Sequence, residues 1–131
     1  MIQTVHPPNW PRPNGYANGV LAEGRLVFVA GQVGWDERGQ FQTDDFVAQV
    51  RQALANVVAV LRAAGAEPQH LARLTWYITD KAVYRASMAA VGRAYREVVG
   101  SHYPAMTLVE VKALLEDRAQ VEIEATAVVP L

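Results

Sequence analysis

The chain has 131 residues, of which 51% are hydrophobic and 19% charged, and its formal net charge is −1 at pH 7. This length and composition are typical of a single globular domain over residues 1–131 that is large enough to bury a core. The mixed charges, without a basic run, disfavour nucleic-acid binding, and the lack of cysteine excludes disulfides, a thiolate nucleophile and a cysteine-ligated metal.

The first part of the chain predicts extended structure. A short strand is expected over residues 1–5, ahead of a proline-rich arm over 6–16, because proline lacks the amide donor that helices and strands use. Two β-rich runs, Asn18–Ala22 and Leu26–Ala30, flank a turn at Gly24. We expect these two runs to pair as a hairpin.

The middle of the chain alternates helix and strand. Apolar residues recur at helical spacing over 46–64, after the N-cap candidates 43–45 and before Gly65, which predicts the first helix. A strand is expected over 71–79 and a second helix over 81–99.

Two more strands are predicted, over 106–111 and 121–129. The last one alternates apolar and polar residues, which places Glu122 and Glu124 on the face opposite its apolar residues. Two carboxylates so close on one face repel each other unless water screens them or a function uses them. The apolar face consists of Val121, Ile123, Ala125 and Ala127.

Self-association is expected from the remaining face of the sheet. Two amphipathic helices cover one face of a sheet of this size, yet Phe28 opposes Val27 and Val29, and Tyr77 opposes Trp76. A lone copy would expose an apolar patch of roughly several hundred Å². The pattern therefore predicts an oligomer without giving the number of copies.

No cofactor or metal site is indicated. The three histidines, at positions 6, 70 and 102, do not have metal-ligand spacing, and no glycine-rich phosphate loop occurs. The sequence also lacks a signal-peptide pattern and an apolar run of membrane-spanning length. We therefore expect a cytoplasmic protein with no membrane or nucleic-acid partner.

The end of the chain resembles the C-terminal signature of the RidA/YjgF family. Pro104-Ala105 precedes a Val-Glu-Val strand at 109–111, and Glu-Ile-Glu-Ala follows at 122–125. Earlier segments are similar to the family in the same order and spacing, so that the resemblance covers nearly the whole chain. These segments are Asn14–Val20, Phe28–Gln32, Gln49–Gly65 and Thr75–Asp80.

The resemblance implies a fold, an assembly and an activity. Its fold is α+β and chorismate-mutase-like, a mixed sheet with two helices packed on one face. The assembly is a homotrimer with the sheets facing inward and clefts between subunits. The best-known members of the family hydrolyse reactive enamines and imines to ketones and ammonia, which implies an imine deaminase-type hydrolase.

Five cleft positions of the family can be carried over to this sequence. The family's tyrosine is present as Tyr16, and its catalytic glutamate falls on Glu122. Its serine, asparagine and arginine fall on Ala30, Gly92 and Met106. The resemblance therefore implies Glu122 as the catalytic residue and the other four as substrate contacts.

Two neighbouring residues are further candidates for substrate binding. Gly31 follows Ala30 in the turn, where glycine permits backbone conformations that other residues resist and leaves amides exposed to a ligand oxygen. Trp35 follows this turn in the sequence. It either lines the edge of the cleft or anchors a surface loop.

The loss of the arginine changes the expected substrate. An arginine makes two charge-assisted hydrogen bonds to a carboxylate, each worth about 1.5–3 kcal/mol, so its loss costs about two to four decades of affinity. The thioether of Met106 cannot replace them. We expect a substrate range shifted away from the usual carboxylated imines, unless another residue binds the carboxylate. Arg12, Arg73 and Arg93 are candidates by residue type alone.

Two other functions remain open. A non-catalytic small-molecule-binding module on the same scaffold would also explain the three replaced positions, with Glu122 only bonding loop amides at a subunit boundary. Ribonuclease activity, a label that some relatives carry, is disfavoured by the near-neutral charge.

Overall fold

The computed structural model describes residues 2–131, within which three α-helices, one 3-10 turn and six strands form. In chain order these are β1 (Ile2–Val5), β2 (Gly19–Ala22), β3 (Arg25–Val33), α1 (Phe46–Ala63), the 3-10 turn (Pro68–His70), β4 (Leu71–Ile78), α2 (Lys81–Ala86), α3 (Met88–Val98), β5 (Ala105–Glu110) and β6 (Val121–Val129).

Four strands form one mixed sheet in the order β3-β6-β4-β5. Strands β4 and β5 are parallel and the other neighbours antiparallel, while β1 and β2 form a separate antiparallel pair. One face of the sheet packs on the helices and encloses the core. The expected α+β class with a mixed sheet is therefore confirmed.

The alternation in β6 is borne out by burial. Val121, Ile123 and Ala127 are fully buried, whereas Glu122 is half-buried and Glu124 is exposed. Leu74, Trp76 and Ile78 of β4 lie in the same core. Burying each large aliphatic side chain contributes about 1.5–3 kcal/mol, so the period-two pattern fixes which face of the sheet meets the helices.

The expected hairpin between the second and third strands is wrong. Within residues 2–131, β2 pairs with β1 and β3 pairs with β6. The turn between them packs Gly24 against the carbonyl of Val129, at a positive φ that favours glycine. At this turn the chain therefore passes from the β1–β2 pair into the four-stranded sheet. The predicted strand over 1–5 is confirmed as β1, except that Met1 lies outside the described residues.

The first helix is as expected, and the second is divided. Asp45 caps α1 by accepting a hydrogen bond from the Ala48 amide. The predicted helix over 81–99 breaks at Ser87, whose amide bonds to Tyr84 three residues back rather than to the residue four back. Three helices rather than two therefore accompany the sheet.

Gln49 links α1 to the segment before β6. Its side chain is fully buried and donates hydrogen bonds to the carbonyls of Thr43 and Arg118, both at 3.0 Å. Its amide oxygen accepts from the Gln120 amide at 2.9 Å. These three bonds position the residues that lead into the strand carrying Glu122.

We expect Gln49→Leu to lower the free energy of unfolding by about 2–4 kcal/mol, because it leaves two carbonyls and one amide buried without partners. Urea unfolding of the variant measures the loss. The control is Gln69→Leu, an exposed position, which should change stability by less than about 0.5 kcal/mol. A loss in Gln49→Leu no larger than in the control would contradict the assigned role.

Candidate functional site

The sequence-predicted site residues lie on two opposite faces of the sheet. Tyr16, Gly92 and Met106 line a cavity of about 670 Å³ on the helix side, between α3 and β5, called here the α3 cavity. Glu122 and Gly31 meet on the face that the helices leave uncovered. This face is called the open sheet face and carries Phe28, Tyr77, Glu122 and Glu124.

Aromatic and thioether side chains form much of the wall of the α3 cavity. The rings of Tyr95 and Tyr103 stack with centroids 5.2 Å apart, and the Tyr95 hydroxyl donates to the carbonyl of His102 at 2.6 Å. Burial raises the pKa of Tyr95 well above its usual range, and Tyr103 adds to the effect, so this hydroxyl remains a donor. Other large lining residues are Trp76, Tyr84, Met88 and Leu108.

Tyr16 reaches this cavity because the proline-rich arm is fixed to β5. The Ala17 amide donates to the Pro104 carbonyl at 3.0 Å, and Ala17 forms a parallel bridge with Ala105. Ala17 is buried, whereas the neighbouring Tyr16 is 42% exposed. The arm therefore presents the Tyr16 ring at the mouth of the cavity, next to Met106 on β5.

Two arginines on α3 give the cavity its charge. Arg93 and Arg96 both line it, and no carboxylate is among its lining residues. Within residues 2–131 neither guanidinium forms a hydrogen bond or an ion pair. Sequence reasoning named Arg93 but missed Arg96, although the spacing of four residues from Gly92 to Arg96 places both on one helix face.

The open sheet face holds the predicted catalytic residue. Glu122 lies beside Tyr77 of β4 in the strand register, and a β-bulge of β3 at Ala30 and Gly31 faces it. A side chain at Gly31 would collide with the Glu122 carboxylate, so only glycine permits this close approach. Among the described residues Glu122 accepts no hydrogen bond. Its carboxylate is therefore available to a ligand or to another chain.

Glu124, in contrast, is already engaged. Tyr77 donates a hydrogen bond of 2.8 Å to its carboxylate. This bond raises the pKa of Tyr77, assisted by desolvation and the charges of Glu124 and Glu122 and opposed by Arg73. The two carboxylates of the alternating strand thus have different roles: Glu124 accepts from a neighbouring strand and Glu122 does not.

Trp35 lies apart from the α3 cavity. Its ring packs against Phe41 with centroids 5.7 Å apart. Asn56 donates hydrogen bonds to the carbonyls of Trp35 and Val33, at 2.8 and 3.0 Å. Within one chain Trp35 anchors the loop that follows β3, rather than lining the cavity that holds Tyr16.

The described residues, 2–131, hold no cluster of three or more histidines and carboxylates that could bind a metal ion. In that same part of the chain, every helix is too short or too polar to cross a membrane.

Known proteins are similar to this chain in sequence and in fold. The sequence model of the family described as endoribonuclease L-PSP matches residues 10–129. The chain belongs to the RidA/YjgF family. A 2-iminobutanoate/2-iminopropanoate deaminase of Salmonella typhimurium is 33% identical over 129 residues, 98% of each chain. A Rid-family protein from Yersinia pestis has a TM-score of 0.86 at 32% identity over 98% of both chains. The YjgF gene product of E. coli has a TM-score of 0.68 at 31% identity, over 96% of this chain and 98% of that one.

One RidA/YjgF chain does not contain the whole expected cleft. Tyr16, Gly92 and Met106 lie on the helix side of the sheet, whereas Glu122 and Gly31 lie on the open face. The sheet itself separates the two groups, since side chains on opposite faces of a strand point apart. A site that uses both groups requires a second copy of the chain.

Proposed function

We propose that this RidA/YjgF-family protein hydrolyses a small enamine or imine in a cleft between copies of a homotrimer. The observation that carries the proposal is Glu122. This half-buried carboxylate has no hydrogen-bond partner within residues 2–131 and lies directly against Gly31. A carboxylate that the fold leaves available on the open sheet face is suited to accept a proton from a water molecule.

The open sheet face supports the assembly in this proposal. Phe28 is 73% exposed and Leu26 is 59% exposed, and both project from the edge strand β3 on this face. Large apolar side chains in such a position favour contact with another copy. We propose that the neighbour meets this face with the side that carries its α3 cavity, so that one copy's Glu122 and the other copy's Tyr16 and Met106 contact the same substrate.

The proposed reaction needs no cofactor. An enamine first takes up a proton at carbon and loses one from nitrogen to become an imine. Water then attacks the carbon of the C=N bond while Glu122 accepts one of its protons and the nitrogen takes up a proton from solvent, which gives the carbinolamine. Glu122 passes its proton to the amine nitrogen, the C–N bond breaks, ammonia leaves, and the ketone forms as the hydroxyl loses its proton to solvent. Water is consumed and Glu122 returns to its ionised state.

The substrate range is proposed to differ from that of a named relative. The Salmonella typhimurium relative is named for 2-iminobutanoate and 2-iminopropanoate, which are small carboxylated imines. In this chain Met106 occupies the position of the family's substrate-binding arginine. We therefore propose a shift away from those substrates.

A panel of freshly generated imines tests the proposal. Amino acid oxidase supplies carboxylated imines and amine oxidase supplies neutral ones, and ammonia release is followed with and without the purified protein. We expect release above the buffer rate for at least one class. Rates equal to buffer across both classes would rule out the deaminase.

A non-catalytic binding module is the second candidate, favoured by the replacement of three family positions, Ala30, Gly92 and Met106. A thermal-shift screen with keto acids distinguishes the two functions. A binder would be stabilised by a ligand and would still show no turnover of any imine.

A further inference from the structure

The α3 cavity has the charge of an anion-binding site. Arg93 and Arg96 line it and no acidic residue does. The neighbouring Glu97 is not available to neutralise them, because it pairs with Arg51 of α1 at 2.9 Å. With two cations and a lining that is otherwise largely apolar and aromatic, the cavity suits a ligand that combines a negative group with an apolar body.

Arg96 lies over Gly92. A Cβ atom at position 92 would lie 3.4 Å from the Arg96 Nη1 atom, which is an ordinary van der Waals contact. A side chain longer than alanine at this position would therefore compete with the guanidinium for space. Gly92 leaves this space to Arg96, an exposed residue that lines the cavity.

We infer that Arg96 binds the carboxylate of a 2-imino acid whose aromatic or similarly bulky side chain fills the α3 cavity. This inference rests on the proposed deaminase function. A guanidinium can donate two parallel hydrogen bonds to a carboxylate, which restores from α3 the interaction that Met106 has removed from β5. The shift in substrate is then towards larger side chains, with the carboxylate retained.

The size and lining of the cavity favour a bulky substrate side chain. A volume of about 670 Å³ lies within the range of drug-sized ligand sites, roughly 300–1,000 Å³, and far exceeds the needs of a one- or two-carbon side chain. Tyr84 and Tyr103 supply flat apolar surfaces, and Met106 adds a flexible thioether. These groups pack well against an aromatic ring.

Binding of phenylpyruvate and phenylacetone by calorimetry tests the inference without turnover. The two ketones share a benzyl group, and only phenylpyruvate carries a carboxylate. We expect Arg96→Gln to raise the Kd of phenylpyruvate by at least about 10- to 100-fold, which is the loss of one charge-assisted hydrogen bond. Its Kd for phenylacetone should change by less than about threefold. Arg96→Lys should retain part of the phenylpyruvate affinity.

Arg85→Gln is the matched control, because Arg85 is exposed on α2 and does not line the cavity. It should leave both Kd values unchanged. Equal affinity of Arg96→Gln and wild type for phenylpyruvate would overturn the inference, and so would wild-type protein that binds neither ketone.

Kinetics with the imine of phenylalanine separate this inference from the proposed function. If both hold, Arg96→Gln raises KM with little change in kcat. If wild type turns the imine over and Arg96→Gln has the same KM, the carboxylate contact is wrong and the deaminase stands. If wild type binds phenylpyruvate through Arg96 but turns over no imine, the deaminase is wrong and the anion site stands.

Discussion

We expect Glu122→Gln to lower imine turnover by about 100- to 10,000-fold, the contribution of a general base. The amide has nearly the same shape as the carboxylate but cannot accept a proton from water. Because no hydrogen bond to Glu122 is lost within residues 2–131, we expect the free energy of unfolding to change by less than about 1 kcal/mol. Measuring kcat and urea unfolding on the same preparation separates catalysis from stability.

Glu124→Gln is the matched control for this result. It alters the neighbouring carboxylate, which is held by Tyr77, and we expect less than about a tenfold loss of turnover. Gly31→Ala tests the role of Glu122 in a second way. The added methyl group would displace the Glu122 carboxylate without removing it, so turnover should also fall. Full turnover in Glu122→Gln would leave the carboxylate without a catalytic role.

We expect Phe28→Glu to dissociate the proposed assembly and to abolish the proposed turnover. Phe28 is 73% exposed on the open sheet face, so a carboxylate there costs little in an isolated chain. Buried between copies without a partner, the same charge costs several kcal/mol or more. We expect sedimentation of the variant as a single chain of 14.4 kDa, with imine turnover reduced to the buffer rate.

Leu115→Glu is the control for this second result. Leu115 is 92% exposed in the segment between β5 and β6, outside the open sheet face, and its substitution should leave both mass and turnover unchanged. Two outcomes would contradict the shared cleft. One is a Phe28→Glu variant that stays assembled, and the other is a single chain with wild-type kcat.

The parts of the fold that depend on local pattern could be predicted from the sequence. The alternation over 121–129 predicted both the strand and its buried face, and the apolar spacing after Asp45 predicted α1. The pairing of β2 and β3 could not be predicted in this way, because strand partners are chosen by long-range contacts with β1 and β6. The break at Ser87 was also missed, since the apolar spacing continues across it.

The candidate site was predictable in residue type but not in arrangement. The resemblance pointed to Tyr16 and Glu122, yet the spacing of these residues along the chain does not reveal that the sheet separates them. The strand order β3-β6-β4-β5 is needed for that conclusion. Arg96 was missed because the resemblance directed attention to Met106 and Gly92 as losses. Its position four residues after Gly92 on one helix was the available signal.

Mixing two inactive variants tests most directly whether one copy's Glu122 serves a neighbour's α3 cavity. Glu122→Gln removes the carboxylate, and Gly92→Trp fills the cavity while leaving the carboxylate intact. If each cleft takes one part from each of two copies, random co-assembly in equal amounts gives about one quarter intact clefts and about that share of wild-type turnover. If both parts act within a single chain, the co-expressed variants remain as inactive as each alone.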